Sequence, residues 1–269
     1  PLTGFGNKWS FDNFVGVFTH PNYYFPIALI NTMIVVFISV PLSVILALLI
    51  AVGLNSIKPL RSFFQTIFFL PYVTNSIAIG MVFAVMFSST NGLINDLVGQ
   101  TIVWLDPEIN VTSGGGTWQC QTSWFQSMLV LQLYLLWNGL AFKILVFIGA
   151  LQNVSKQYYD AAKIDSTPKW RVFTRITVPQ ISPMILYIFI TSFIGAFKTY
   201  DAVVGIFGNN YRQTFEIQTV VGYIYWKVEE GSNDPESYTL GAAAAVVLFA
   251  IIMLFTAIQM KVSKKRVHY

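Results

Sequence analysis

The sequence predicts an all-α, polytopic helical membrane protein, and three observations carry that prediction. The 269 residues are 55% hydrophobic and only 10% charged, whereas soluble domains carry about 25% charged residues. Several apolar runs exceed the ~18 residues that mark a bilayer span. The basic residues fall in short segments that alternate along the chain with acidic ones.

Five spans follow from the apolar runs: 25–54, 62–87, 124–151, 181–206 and 238–260. Each can cross about 30 Å of hydrocarbon at about 1.5 Å per residue. Lipid offers no hydrogen bonds, so each run must satisfy its own backbone and should be helical. Pro41 and Pro71 each remove a backbone donor and are expected to kink the first and second spans.

Charge then orients the chain. Lys58 and Arg61 follow the first span. Lys156, Lys163, Lys169, Arg171 and Arg175 follow the third, and Lys261, Lys264, Lys265 and Arg266 follow the last. The positive-inside rule places these segments and the C-terminus in the cytoplasm. Asp96, Asp106 and Glu108, then Glu229, Glu230, Asp234 and Glu236, mark the opposite side. This puts the first residue, Pro1, outside. With no signal peptide visible, a sixth span is expected upstream. Segment 88–123 reads as an exposed outer loop around Gly114, Gly115 and Gly116. The chain reads as one transmembrane domain over 1–269.

Other classes find little support. The net charge is +4, but no basic stripe with interleaved aromatics points to nucleic acid. The single Cys120 excludes an intrachain disulfide, and His20 and His268 lie too far apart in sequence to suggest a metal or catalytic site. No G-x-x-x-x-G-K-[S/T] phosphate loop occurs. An ion-coupled secondary transporter is the competing reading, but it calls for repeated halves with broken helices, and no such repeat is visible.

The most informative segment is the connector at 152–180, which is too long for a plain turn. Tyr158, Ala161, Ala162 and Asp165 fall at helical spacing. Ser166, Thr167 and Pro168 form a turn, and Trp170, Phe173 and Ile176 begin a second period. Two short helices of this kind could dock a soluble partner. A loop lying among anionic headgroups would show the same physics.

The order Asp160-Ala161-Ala162, Asp165, Trp170, Phe173, then Ile176-Thr177-Val178-Pro179 resembles the EAA loop of binding-protein-dependent ABC importer permeases. Asp160 replaces the family Glu, Ser166 the Gly, and Thr167 the following Ala. Further matches point to the MalF-type sugar permease family. These are Phe11-Asp12-Asn13-Phe14, Asn31-Thr32, Phe69-Leu70-Pro71, Gly92-Leu93-Ile94-Asn95, Trp104-Leu105, Leu151-Gln152-Asn153-Val154 and Tyr238 to Ala243. The G-G-P element expected after the fourth span is weakened to Gly208-Asn209-Asn210.

The resemblance implies a type I ABC importer transmembrane domain. It implies pairing with a second, MalG-like permease subunit, with ATPase subunits and with an extracytoplasmic sugar-binding protein. ATP and Mg would be bound by the ATPase subunits, and this chain would bind no cofactor and catalyse no reaction. Tyr159, Asp160, Ala161, Ala162, Asp165, Ser166, Trp170 and Phe173 would couple to the ATPase. The setting would be a bacterial-type plasma or inner membrane.

Polar groups within spans are candidates for the cargo path because intramembrane charge is costly. Lys198 and Asp201, three residues apart in the fourth span, would share a helical face. They read either as a local ion pair or as a sugar contact beside Tyr200. Gln132, Gly139 and Lys143 would share a face of the third span. Lys143 reads as snorkelling to the inner interface, and Gln132 and Asn138 as lining the path. Trp137 could stack on sugar faces; Tyr225 and Trp226 read as belt residues. The small residues from Gly241 to Ala245 could meet a partner permease or pack internally.

Overall fold

Helix α2 (Tyr24–Ser56) and helix α6 (Thr122–Gln152) form the central pair of the fold. The computed structural model describes residues 11–19, 24–56, 61–90, 92–105, 109–111, 118–120, 122–208, 216–231 and 235–263. His20, Lys58, Asp106, Glu108, Gly114 to Gly116, Asn209, Asn210, Asp234, Lys264 to Arg266 and His268 lie outside the described residues.

The inward stripe of α2 is built from small and β-branched residues. Ala28, Thr32, Val36, Ser43, Ala47 and Ala51 recur at helical spacing and are all buried. Between apolar helices in lipid, close packing replaces the hydrophobic effect as the attractive term, and small side chains allow it. Phe37, Ile38, Leu42, Ile45 and Leu49 of the same helix are exposed. Such outward apolar faces suit a hydrocarbon environment. Pro41 stands inside α2, which runs on as one helix.

A third long helix, α12 (Pro235–Ser263), packs on α11 (Val220–Glu230) and on α1 (Asp12–Thr19). Gly241, Ala243 and Ala244 are buried there, and Gly241 lies against the stem of Lys227. The small-residue run thus serves packing within this chain, with Ala242 alone exposed among them.

The other two spans are bent. In the second, α3 (Arg61–Val73) and α4 (Ser76–Met86) meet at 103°. The break lies after Pro71, at Thr74 and Asn75, because Asn75 starts a new helix. Its Oδ1 accepts from the backbone N–H groups of Ile77 and Ala78 at 2.8 and 3.2 Å. The fourth begins with α9 (Ser182–Phe197), which meets the connector helix α8 (Lys169–Gln180) at 71°. The expected span to residue 206 is interrupted at Lys198, and a short helix α10 (Asp201–Phe207) follows. Among the described residues three helices are long and apolar enough to cross a bilayer, and the count reaches the five expected spans if each bent pair is one span.

Helix α10 crosses α4 with backbone nearly touching backbone. A Cβ added at Gly205 would lie 2.8 Å from the Ile77 carbonyl oxygen and 3.0 Å from the Gly80 Cα. An irregular strap at 216–219 then returns through the core. Asn31 Nδ2 donates to the carbonyls of Glu216 and Gln218 at 2.9 and 3.0 Å, and Trp124 Nε1 donates to Glu216 at 2.9 Å. Thr219 donates to the Thr199 carbonyl, and the Val220 N–H donates to Thr32 Oγ1.

The segment expected to be an irregular outer loop carries local order. A short helix α5 (Leu93–Val98) is followed by paired strands β1 (Ile109–Val111) and β2 (Trp118–Cys120). Asn95 ties the region together: its oxygen accepts from Trp104 Nε1 at 2.8 Å and its amide donates to Ile102.

The connector forms the two expected short helices, α7 (Lys156–Ile164) and α8. Asp165 ends α7, and Ser166 takes φ 50°. The Ser166 N–H reaches the Lys163 carbonyl and the Thr167 N–H the Ala162 carbonyl, at 3.1 and 2.9 Å. These are the two bonds of a Schellman cap, which normally places glycine at this left-handed position.

Three outcomes follow. Gly205→Val should destabilise the protein by about 1–3 kcal/mol through overpacking, whereas Gly149→Ala, with open space at its Cβ, should be neutral. Asn31→Leu leaves the Gln218 carbonyl without its donor and should cost about 1–3 kcal/mol. Ser166→Gly removes the left-handed penalty and should stabilise α7 by about 1 kcal/mol. Thermal midpoints of the purified protein check the first two. Amide exchange of α7 checks the third.

Candidate functional site

Two adjoining cavities lie along α6 and α9, the first also bounded by α4 and the start of α10 and the second by α2. One, of about 260 Å³, is lined by Ser76, Tyr134, Asn138, Lys198, Thr199, Tyr200 and Asp201, among others. The second, of about 270 Å³, is lined by Ser39, Ser43, Asn138, Gly139, Lys143, Ser192 and Thr199, among others. Leu135, Asn138, Gly195 and Thr199 belong to both.

The helix break at 198–200 shapes the first cavity. Lys198 caps the C-terminus of α9, and Asp201 opens α10, so the two do not share a helical face as the sequence spacing suggested. Among the described residues they make no ion pair. Each charge instead sits at the helix end of complementary sign, cation at a C-terminus and anion in a first turn. Tyr200 stacks on Tyr225 with ring centroids 4.5 Å apart. Tyr225 is itself 54% exposed, so the stack lies at the protein surface. Tyr134 donates to the Ser76 carbonyl at 2.8 Å and fixes α4 against α6.

Lys143 points the other way from the snorkelling expectation. Its Nζ donates to the Gly139 carbonyl at 3.1 Å, one turn toward the Thr122 end of α6. Cα–Cβ bonds tilt toward a helix N-terminus, so the side chain leaves the backbone already aimed away from the connector end. Glycine at 139 makes room, because a Cβ there would lie 2.8 Å from the ammonium. Gln132 lines neither cavity. It is buried in the α2–α6 seam and donates to the Ile34 carbonyl at 3.2 Å.

Five of the six path candidates thus line the two cavities, Asn138, Lys143, Lys198, Tyr200 and Asp201, with Lys143 among them despite the snorkelling expectation. Sequence reading missed Ser39, Ser43, Ser192 and Thr199. Small hydroxyl residues inside apolar runs were the available signal. It also missed Lys227, which is buried, pairs with Glu230 at 2.7 Å and lies 4.0 Å above the Trp226 ring. Trp137 is exposed beside Phe83, at a centroid distance of 5.8 Å.

The connector residues divide into two sets. Tyr159 and Ala162 face inward: Ala162 is buried, and the Tyr159 hydroxyl lies 3.3 Å from Thr177 Oγ1, joining α7 to α8. Asp160, Ala161, Asp165, Ser166 and Trp170 are exposed, and Phe173 is half-buried with its ring 5.6 Å from Trp170. Ile164 and Trp170 are 85% and 71% exposed, an apolar patch on an otherwise polar segment. The Asp160–Lys163 pair, at 3.5 Å and open to solvent, adds little stability.

This architecture has known counterparts. A chain in the crystal structure of a bacterial alginate ABC transporter, in complex with an alginate pentasaccharide-bound periplasmic protein, superposes with a TM-score of 0.78 at 20% identity. The match covers 96% of this chain and 83% of that one, and it establishes the shared fold. A probable ABC transporter permease protein of Mycoplasma genitalium is 29% identical over 91% of this chain and 69% of its own length. The arabinooligosaccharides transport system permease protein AraP of Halalkalibacterium halodurans is 31% identical over 92% of this chain and 74% of its own. Residues 39–269 match the family described as binding-protein-dependent transport system inner membrane component, and the chain belongs to that family.

Proposed function

We propose that this chain is one of two permease subunits of an ATP-driven, binding-protein-dependent importer of sugars or oligosaccharides. The family match over 39–269 carries the reading. The cargo class rests on relatives named for lactose, arabinooligosaccharide, multiple-sugar and sn-glycerol-3-phosphate transport. The whole chain acts as a single permease domain in a bacterial-type cell membrane.

The paired cavities supply half of a path, and a second, MalG-like permease supplies the facing half. Hydroxyl and amide groups at Ser39, Asn138, Ser192 and Thr199 suit a polyhydroxylated cargo that must shed water. An extracytoplasmic binding protein delivers that cargo. The chain itself catalyses no reaction, and ATP with its Mg is bound by partner ATPase subunits.

The connector is the coupling element. Its basic residues place it in the cytoplasm together with the C-terminus. Trp170, with Phe173 behind it, forms an anchor of the kind that dominates docking energy. Asp160 and Asp165 offer carboxylates to basic groups on the ATPase. Tyr159, Ala162 and Ser166 hold the shape of the segment.

Asp165→Ala and Phe173→Asp should each lower cargo-stimulated ATP hydrolysis at least tenfold or release the ATPase during purification, about 1.4 kcal/mol or more of lost coupling. Normal ATPase co-purification with normal uptake in both variants would overturn the coupling role.

A further inference from the structure

Lys143 has no structural employment that the rest of the fold explains. It lies nine residues from the end of α6, about 14 Å along the helix, between Phe142 and Ile144. Among the described residues no carboxylate contacts it, and its one bond is to a backbone carbonyl of its own helix. Lys198 differs, because it rests at the C-terminus of α9. An unpaired ammonium at membrane depth is costly, and an apolar residue would fill the position at no such cost.

Its surroundings are prepared for a ligand. The side chains of Asn138, Ser39 and Ser192 make no hydrogen bond within the described residues. Ser43 and Thr199 donate to carbonyls of their own helices, so their oxygens remain as acceptors for cargo hydroxyls. The ammonium has three donors and spends one. No acidic residue lines this cavity, so its charge is positive. Gly139 leaves room for the ammonium, since a Cβ there would lie 2.8 Å from Nζ.

We propose that the Lys143 ammonium is an anion contact of the translocation path, and that the cargo carries a carboxylate or phosphate group. The inference rests on the importer reading and narrows its cargo class. A carboxylate supplied by the second permease is the other way to pair this charge, and the test separates the two.

The complete complex, with its ATPase and saturating binding protein, is placed in proteoliposomes. Maximal cargo-stimulated ATP hydrolysis and uptake are measured for two matched pairs: an oligogalacturonate against its carboxyl-reduced neutral form, and glucose 6-phosphate against glucose. The acidic member of one pair should be favoured at least tenfold. Lys143→Met should reduce that preference to within about threefold, while Lys143→Arg retains it. Three results would overturn the anion contact and leave the importer reading standing. These are ATP-driven uptake with no charge preference, no response to either pair although ATP drives uptake of an uncharged sugar, and an equal fall for both members of a pair in Lys143→Met. Failure of ATP to drive uptake of any sugar would instead sink the importer reading itself.

Discussion

Inside a bilayer, every backbone N–H and C=O must find its partner within the protein, and this requirement governs where the fold can break. A long helix meets it locally. A broken helix meets it only where other side chains reach in. The strap at 216–219 is the clearest case. Its carbonyls are met by Asn31 and Trp124, its return to helix is met by Thr32, and Thr219 answers the open carbonyl at Thr199. Those bonds license the break at 198–200, which places Lys198 and Asp201 at opposed helix ends beside the cavity.

The second constraint is the distance between backbones. Hydrophobic burial cannot hold apolar helices together in hydrocarbon, so contact quality must. The small stripe of α2 and the Gly80–Gly205 crossing bring helices close. The same economy in volume creates space. Gly139 and Gly195 leave room on α6 and α9, and polar groups from three helices occupy the edges of that room.

Much of this was legible in the sequence. Apolar length gave the number of spans, because twenty residues of hydrocarbon-compatible surface have few other uses. The Ser166 turn and the two short connector helices were readable from periodicity. The bend of the second span was foreshadowed by Pro71, but the break at 198–200 was not legible, since Ala202 to Ile206 is as apolar as any span and apolarity reports depth, not conformation. Lys143 was misjudged because counting residues to the interface ignores the tilt of Cβ toward the helix N-terminus. Lys227 escaped notice because it sits in an acidic stretch. Its stem packs on Gly241 and its ammonium is met by Glu230 and the Trp226 ring. Asn31-Thr32 and Asn95 with Trp104 stood out only by resemblance, and each has a hydrogen-bonding role that composition cannot announce.

The connector and the cavity are joined by one mechanical route. Trp170 lies on α8, which turns 71° at the buried Ile181 and continues as α9. Helix α9 packs along α2 and brings Ser192, Gly195 and, at its end, Thr199 to the cavity wall. Tyr159 and the Ser166 cap fix α7 to α8, so a partner bound at Trp170 and Ile164 would act on one rigid corner. Rotation of that corner would displace α9 against the helices it packs on, α2, α12 and α6. The hydroxyls of α9 would then move past Lys143, which is held on α6.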